Sequence, residues 1–452
     1  MFEKILIANR NEIALRVIRA ARELGIRTVA VYSEADRNAL HVRFADEAVC
    51  VGPPFARDSY LHIPNIISAA EITGADAIHP GYGFLAENIQ FASAVRAHGI
   101  EFIGPSVEHL GMFGDKLSAK DAARKAGVPL LPGSTGSVVD VEEAVQVAAS
   151  VGYPVLLKAA FGGGGKGMRV VYDEAGLRRV YEITGAEAEA AFGNAAVFIE
   201  RFLDAPRHIE IQVAGDRHGN VIHLGERDCS MQRRHQKIIE EAPAPNLDPK
   251  LRDRIRAAAV DLAASCGYFT VGTCEFLVQG DEFFFLEVNP RIQVEHPVTE
   301  AITGVDLVDL QIRMAAGEKM PFSQDEITFS GHAIEIRVNA ENPWTFRPSP
   351  GQITGYNAPG GPGVRIDAAM HEGAMVQPFY DSLIAKLICH AKDRPTVIRR
   401  TLRALHEYVV EGIETTMPLQ TELLKSDAFQ DVTFYTKFID TWLEERASAD
   451  DA

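Results

Sequence analysis

The apolar run Ile5-Leu6-Ile7-Ala8 near the start of the chain predicts a buried strand over residues 4–8. Ile13, Val17, Ala20, Ala21 and Leu24 then recur at helical spacing. They predict an amphipathic helix over 12–24, ended by Gly25 as a C′ glycine ends one. A second strand follows at 28–32, and shorter ones at 76–79 and 101–104 come after helical stretches. Strands separated by helices imply a parallel, doubly wound sheet. The turn after the first strand, Asn9-Arg10-Asn11, lacks the glycines that let a backbone approach a dinucleotide pyrophosphate. A helix over about 115–130 is followed by the breakers Pro129 and Pro132. Residues 133–203 read as a small α/β insert, with strands at 154–160 and 168–172. From 204 to 300 strands dominate around one long helix at 250–266. The last part, 330–446, carries strands near 332–338 and 382–390 and a helix at 394–408, and the tail 444–452 is expected to fray.

The insert's two strands flank Gly162-Gly163-Gly164-Gly165-Lys166-Gly167. A Walker A loop needs Ser or Thr after its Lys and then a helix; here a glycine and a strand follow. A strand, glycine loop and strand form a hairpin of the kind that covers ATP phosphates, because glycine lets backbone N–H groups close on phosphate oxygens. A flexible surface turn is the alternative.

A second hairpin is predicted at 272–288, turning at Gln279-Gly280-Asp281. With a three-residue loop centred on Asp281, Glu275 faces Glu287. Opposed carboxylates repel unless a cation such as Mg²⁺ lies between them, and the neighbours Phe276, Phe284, Phe285 and Leu286 argue for burial over a solvated surface hairpin. A one-residue slip would break the pairing. Beyond it, an extended chain would project Asn289, Arg291, Gln293 and Glu295 to the same side as Glu287, with Pro290 and Pro297 keeping it extended. That strip would hold metal ligands, an anion-binding arginine and a candidate general base. Arg227 and Arg233-Arg234-His235-Gln236-Lys237 are either a solvated face or an anion pocket, and guanidinium forks suit planar anions.

Composition narrows the classes. The 452 residues, 46% apolar and 24% charged, suit a folded chain of about three domains and exclude disorder. Lys and Arg number 45 against 62 Asp and Glu, a net charge of −17. That argues against nucleic-acid or membrane-surface partners, which need a basic face. No apolar run is long enough to span a membrane and no secretory pattern opens the chain. The five cysteines show no metal spacing and are expected to be reduced thiols in a cytoplasmic protein.

Five segments now carry a family resemblance: Ile7-Ala8-Asn9-Arg10, residues 79–88, 161–168, 226–237 and 287–297. Together they resemble biotin carboxylase, the ATP-grasp component of biotin-dependent carboxylases, over about residues 2–446. The resemblance implies a mixed α/β and α+β chain. It would comprise a Rossmann-like N-terminal domain (1–114), an ATP-grasp core (115–315) with a glycine-rich lid subdomain (about 133–203), and a biotin carboxylase C-terminal domain (330–446). It implies ATP contacts from Lys116, Lys158, the 162–167 loop with Met168, Glu200, Arg201, Leu203, His208, Gln232 and His235, beside Glu275 and Glu287. It implies Mg²⁺ or Mn²⁺ on Glu275, Glu287 and Asn289, and bicarbonate at Lys237, Arg291, Gln293, Val294 and Glu295. Glu295 matches the base that deprotonates bicarbonate, and Arg337 the residue that stabilises the biotin enolate.

The implied reaction makes carboxyphosphate from ATP and bicarbonate, then transfers CO₂ to biotin. No Met-Lys-Met biotinylation site occurs, so biotin is expected on a separate biotin carboxyl carrier protein, with carboxyltransferase subunits downstream. Acetyl-CoA carboxylase is the expected context, a pyruvate or 2-oxo-acid carboxylase the alternative, and a homodimer the expectation by analogy. Two departures stand out. Asn11 replaces a glycine, and Asn is the residue that best tolerates a left-handed turn. Lys166 replaces an arginine, keeping a cation and losing its fork. Another ATP-grasp carboxylate–amine ligase, or a non-catalytic nucleotide-binding subunit, are the remaining readings.

Overall fold

The computed structural model describes residues 1–134, 136–159, 168–192 and 197–450. Strands β1 (Lys4–Ile7), β2 (Arg27–Ser33), β3 (Glu47–Gly52), β4 (Ala77–His79) and β5 (Glu101–Phe102) form a parallel sheet in the order β3-β2-β1-β4-β5. Its order reverses between β1 and β4, the crevice where open α/β sheets place functional loops. Helix Asn11–Glu23 buries Ile13, Val17, Ala20 and Ala21. It ends with Gly25 at φ +74° and the Ile26 N–H donating to Ala21 at 2.8 Å. Asn11 sits at φ +59°, so the departure from glycine falls on a left-handed position that Asn can hold. Asn9 Nδ2 donates to the carbonyls of Pro80 (2.7 Å) and Tyr82 (2.8 Å), tying two of the sequence motifs together. Gly81 permits this: it lies at φ +62°, and a Cβ there would meet Asn9 Nδ2 at 2.9 Å.

The helix expected over 115–130 is shorter, Lys116–Lys125, and a further helix, Val107–Gly114, precedes it. Strands β6 (Val155–Ala159), β7 (Met168–Val171) and β8 (Val197–Arg201) make a separate sheet, ordered β7-β6-β8. Helices Val141–Val151 and Glu174–Phe192 pack against it. The glycine loop Gly162, Gly163, Gly164, Gly165, Lys166 and Gly167 lies outside the described residues.

The main sheet has eight antiparallel strands. β9 (Arg207–Gly215), β10 (Val221–Arg233), β11 (Gln236–Ala242), β12 (Thr270–Gln279), β13 (Glu282–Asn289) and β14 (His332–Asn339) join strands Leu383–Ala391 and Val364–Ala368. The order is β13-β12-β9-β10-β11-β14, then Leu383–Ala391 and Val364–Ala368. The sheet runs without interruption from the central region into the C-terminal one, because β11 pairs with β14 from Ala242↔Ala333 to Ile239↔Ile336. One face packs on helix Pro249–Ser265, which is capped by Asp248 and buries Leu251, Ile255 and Leu262 against Ile209, Ile211, Phe276 and Phe285. Each such large side chain contributes about 1.5–3 kcal/mol by leaving water. Residues 444–450 continue helix Phe438–Asp450 rather than fraying. Among the described residues no helix is long and apolar enough to cross a membrane.

Candidate active site

The β12–β13 hairpin pairs Glu275 with Glu287, by a different route from the one the sequence suggested. Gln279 pairs with Glu282, so the loop is two residues, Gly280-Asp281, with Gly280 at φ +61°. That register alone would set Glu275 against Leu286. A β-bulge between Glu275 and Phe276 inserts one residue, Leu286, and restores the acid pair. Leu286 is accordingly 39% exposed, against the expectation that it would be buried. Glu287 is half-buried. Burial and the neighbouring Glu275 push its carboxyl pKa up, a cost that a cation between the two acids would remove.

Glu275 is the hub. Its Oε1 accepts from Asn289 Nδ2 (2.7 Å), Gln293 Nε2 (2.8 Å) and Lys237 Nζ (3.2 Å), and its Oε2 lies 2.9 Å from His208 Nε2. Burial opposes ionisation of Glu275, but Lys237 and His208 override it and hold the carboxyl well below the ordinary range. In return, although burial disfavours the imidazolium, Glu275 and Glu210 push His208 up to about 10. Gln232 Nε2 meets His208 Nδ1 at 3.3 Å.

Lys237 Nζ also donates to Glu295 Oε1 at 2.7 Å, and Arg337 Nη2 donates to Glu295 Oε2 at 2.7 Å. Burial raises the Glu295 pKa; Lys237 and then Arg337 outweigh it, so the carboxylate is held ionised. The strip is extended only to Gln293. Val294 and Glu295 turn, and Glu295 is the N-cap of helix His296–Thr303. Expected alternation therefore fails at its last step, yet Glu295 still converges on Lys237, because the helix packs over β11 and β14. Arg291 Nη2 donates to Asn289 Oδ1 at 3.0 Å and Arg291 Nε pairs with Glu87 at 3.0 Å.

Arg234, His235, Gln236, Lys237, Arg291, Gln293, Val294, Glu295 and Arg337 line one cavity of about 360 Å³. Of the basic stretch, Arg227 is not on a solvated face: it is fully buried and donates to Gln293 Oε1 at 2.7 Å. The β10–β11 turn places Arg234 at φ +47° and His235 at φ +69°.

Of the remaining expected residues, Lys116 acts on Glu287, pulling its carboxyl pKa down against burial. Lys158 contacts Glu200, which also accepts from Lys120 at 2.5 Å. Leu203 is buried, and Lys116 is exposed at the first turn of its helix. The Arg201 guanidinium is committed to Glu282 at 3.0 Å near the hairpin tip. Of Met168, at the start of β7, only the backbone is described.

Sequence reasoning missed Glu210, Glu240 and Lys120. Glu210 is fully buried, contacts Lys237 and pairs with Arg227 at 3.1 Å. The alternation His208, Glu210, Gln212 along an otherwise apolar β9 is the signal that could have found it. Glu240 contacts Arg337 Nε, and burial pushes its carboxyl up to about 7 against the pull of Arg337. A Glu240-Glu241 doublet gives no such signal.

Two carboxylates, one with an imidazole and an ammonium on its oxygens, form an all-oxygen donor set with Asn289 that suits a hard cation. They lie on an antiparallel sheet with a small αβ layer inserted upstream, and this defines the ATP-grasp class. Comparisons with known proteins agree. The family model described as biotin carboxylase, N-terminal domain, matches residues 1–110. That for the ATP-binding domain of the carbamoyl-phosphate synthase L chain matches 115–323, and the biotin carboxylase C-terminal domain matches 335–441. The chain is 54% identical over 430 residues to the biotin carboxylase of Pseudomonas aeruginosa, covering 95% of this chain and 96% of the relative. It is 53% identical to one of the subunits of pyruvate carboxylase from Methanothermobacter thermautotrophicus, covering 98% of this chain and 90% of the relative. Among solved structures, the biotin carboxylase domain dimer of Hydrogenobacter thermophilus 2-oxoglutarate carboxylase, in complex with MgADP, ADP and bicarbonate, superposes with a TM-score of 0.89 at 49% identity over 98% of both chains. The chain belongs to the biotin carboxylase family and is an ATP-dependent carboxylase.

Proposed function

We propose that the chain carries out the first half-reaction of a biotin-dependent carboxylase on biotin held by a separate carrier protein. The observation that carries this reading is that Lys237 bridges Glu275 and Glu295 while Arg337 holds the other Glu295 oxygen, with Lys237, Glu295 and Arg337 lining one cavity. Bicarbonate enters beside Lys237, Arg291, Gln293 and Val294. It competes with Glu295 for the Lys237 ammonium, which restores basicity to a carboxylate otherwise held ionised by its two cations. Glu295 takes the bicarbonate proton while a bicarbonate oxygen attacks the γ-phosphorus and ADP leaves. The resulting carboxyphosphate breaks into CO₂ and phosphate, the phosphate takes the ureido N–H proton, the ureido nitrogen bonds the CO₂ carbon, and Arg337 faces the charge on the ureido oxygen. Glu275, Glu287 and Asn289 would hold Mg²⁺ or Mn²⁺, which when bound screens the phosphate charge. The protein's part is positioning and charge neutralisation.

The test is Glu295→Gln. Bicarbonate-dependent ATP cleavage falls by about 100-fold or more, the scale of a lost general base, while ATP binding measured by calorimetry is retained. Wild-type turnover in that variant removes Glu295 as the base.

We assign the downstream reaction to acetyl-CoA carboxylase and fatty acid synthesis in the cytoplasm, on the similarity to relatives named biotin carboxylase that this chain matches over 96% and 99% of their length. A pyruvate or 2-oxo-acid carboxylase is the second reading, favoured by two of the relatives. A homodimer is supported by the dimeric relative. Co-purification of the biotinylated carrier and its transferase subunits decides between the two contexts.

A further inference from the structure

Lys386, in strand Leu383–Ala391, is fully buried, and no motif in the sequence points to it. It pairs across the sheet with Arg337 on one side and Asp367 on the other. Its Nζ donates to the Val294 carbonyl at 2.9 Å and lies 3.4 Å from Glu12 Oε2. The other Glu12 oxygen accepts from the Tyr82 hydroxyl. Glu335, two residues before Arg337 on the same face of β14, is fully buried with neither carboxylate oxygen hydrogen-bonded. A buried ammonium among acids can be replaced by a neutral side chain of similar volume without loss of stability when its partner is neutralised too. What hydrocarbon cannot replace is the donor to Val294.

That carbonyl has leverage. Val294 lies between Gln293, bonded to Glu275, and Glu295, bonded to Lys237 and Arg337. The peptide is planar, so fixing the Val294 C=O also fixes the Glu295 N–H and Cα, and with Glu295 at φ −80° at the head of its helix this sets the direction from which its side chain departs. We propose that Lys386 is a positioning residue: through the Val294 carbonyl it sets the peptide plane that aims Glu295 at bicarbonate, and it ties this aim to the N-terminal helix through Glu12. The inference rests on Glu295 being the base.

The test uses the full chain and three variants, reading bicarbonate- and ATP-dependent kinetics, nucleotide affinity and melting temperature. In Lys386→Met, kcat/KM for bicarbonate falls about 10- to 100-fold, the cost of a small misplacement at the reacting centre, while KM for ATP stays within about twofold. Lys386→Arg, which keeps a donor, recovers part of the loss. Lys386→Met combined with Glu12→Gln leaves a neutral pair: it regains melting temperature but not the bicarbonate rate. If Lys386→Met alone does not fold, the double variant carries the comparison. Wild-type bicarbonate kinetics in Lys386→Met, or recovery of rate together with melting temperature in the double variant, makes Lys386 a counter-ion and overturns the proposal. Full turnover in Glu295→Gln overturns the base assignment instead, so the two failures are distinct.

Discussion

Crowding of opposite charges around Glu275 gives single residues measurable pH signatures. His208 titrates near 10 in the folded chain because Glu275 and Glu210 outweigh its burial, against about 6.5 when unfolded. A pKa raised by folding adds stability below the unfolded value, and the gain is lost as pH climbs through the folded one. The melting temperature of the wild type should therefore exceed that of His208→Gln by a constant margin below pH 6.5, and the margin should shrink between pH 6.5 and about 10. A margin independent of pH over that window would mean that His208 is not held protonated. Most of these residues were legible one at a time, since carboxylates and cations at 275, 287, 291 and 295 cluster in the chain. Glu240 was not, because its role depends on facing Arg337 from another strand.

At the level of elements, local patterns located strands and helices well and described their connections less well. Hairpin β12–β13 is the instructive case: a wrong loop length and an unseen bulge offset each other, so Glu275 met Glu287 as expected. Bulges carry little local signal, because one extra residue leaves the apolar pattern on either side intact. The β10–β11 turn is another departure from local preference. Arg234 and His235 both occupy left-handed backbone where Asn-Gly is favoured, at about 1–3 kcal/mol each for strain held at functional sites. Replacing them with Asn-Gly should raise the melting temperature by a few degrees while weakening substrate binding, since both side chains line the cavity. Differential scanning calorimetry with steady-state KM values checks both halves, and unchanged KM values would show that the strain has no role at the site.

For the whole molecule, the continuous eight-stranded sheet matters more than a division into three parts. β11 contributes Glu240 and Glu241 to partners across the seam: Glu240 to Arg337, Glu241 to His332 (2.7 Å) and Arg394 (2.8 Å). A fragment of residues 1–320 would expose the β11 edge and strip both acids of their cross-seam partners Arg337, His332 and Arg394. Expressed alone it should aggregate or elute as large species in size-exclusion chromatography. A well-behaved monomer of that length would show the C-terminal strands to be dispensable.

By itself the sequence determined the alternating elements of the first domain, the two strands of the main hairpin and the extended strip from Glu287 to Gln293, because each is written in neighbours within a few residues of one another. Tertiary structure alone decided that Glu210, Glu240 and Lys386 join that strip and that Lys120 meets Glu200. They come from distant strands or helices, and single polar residues on buried strands acquire meaning only from what the sheet register sets opposite them.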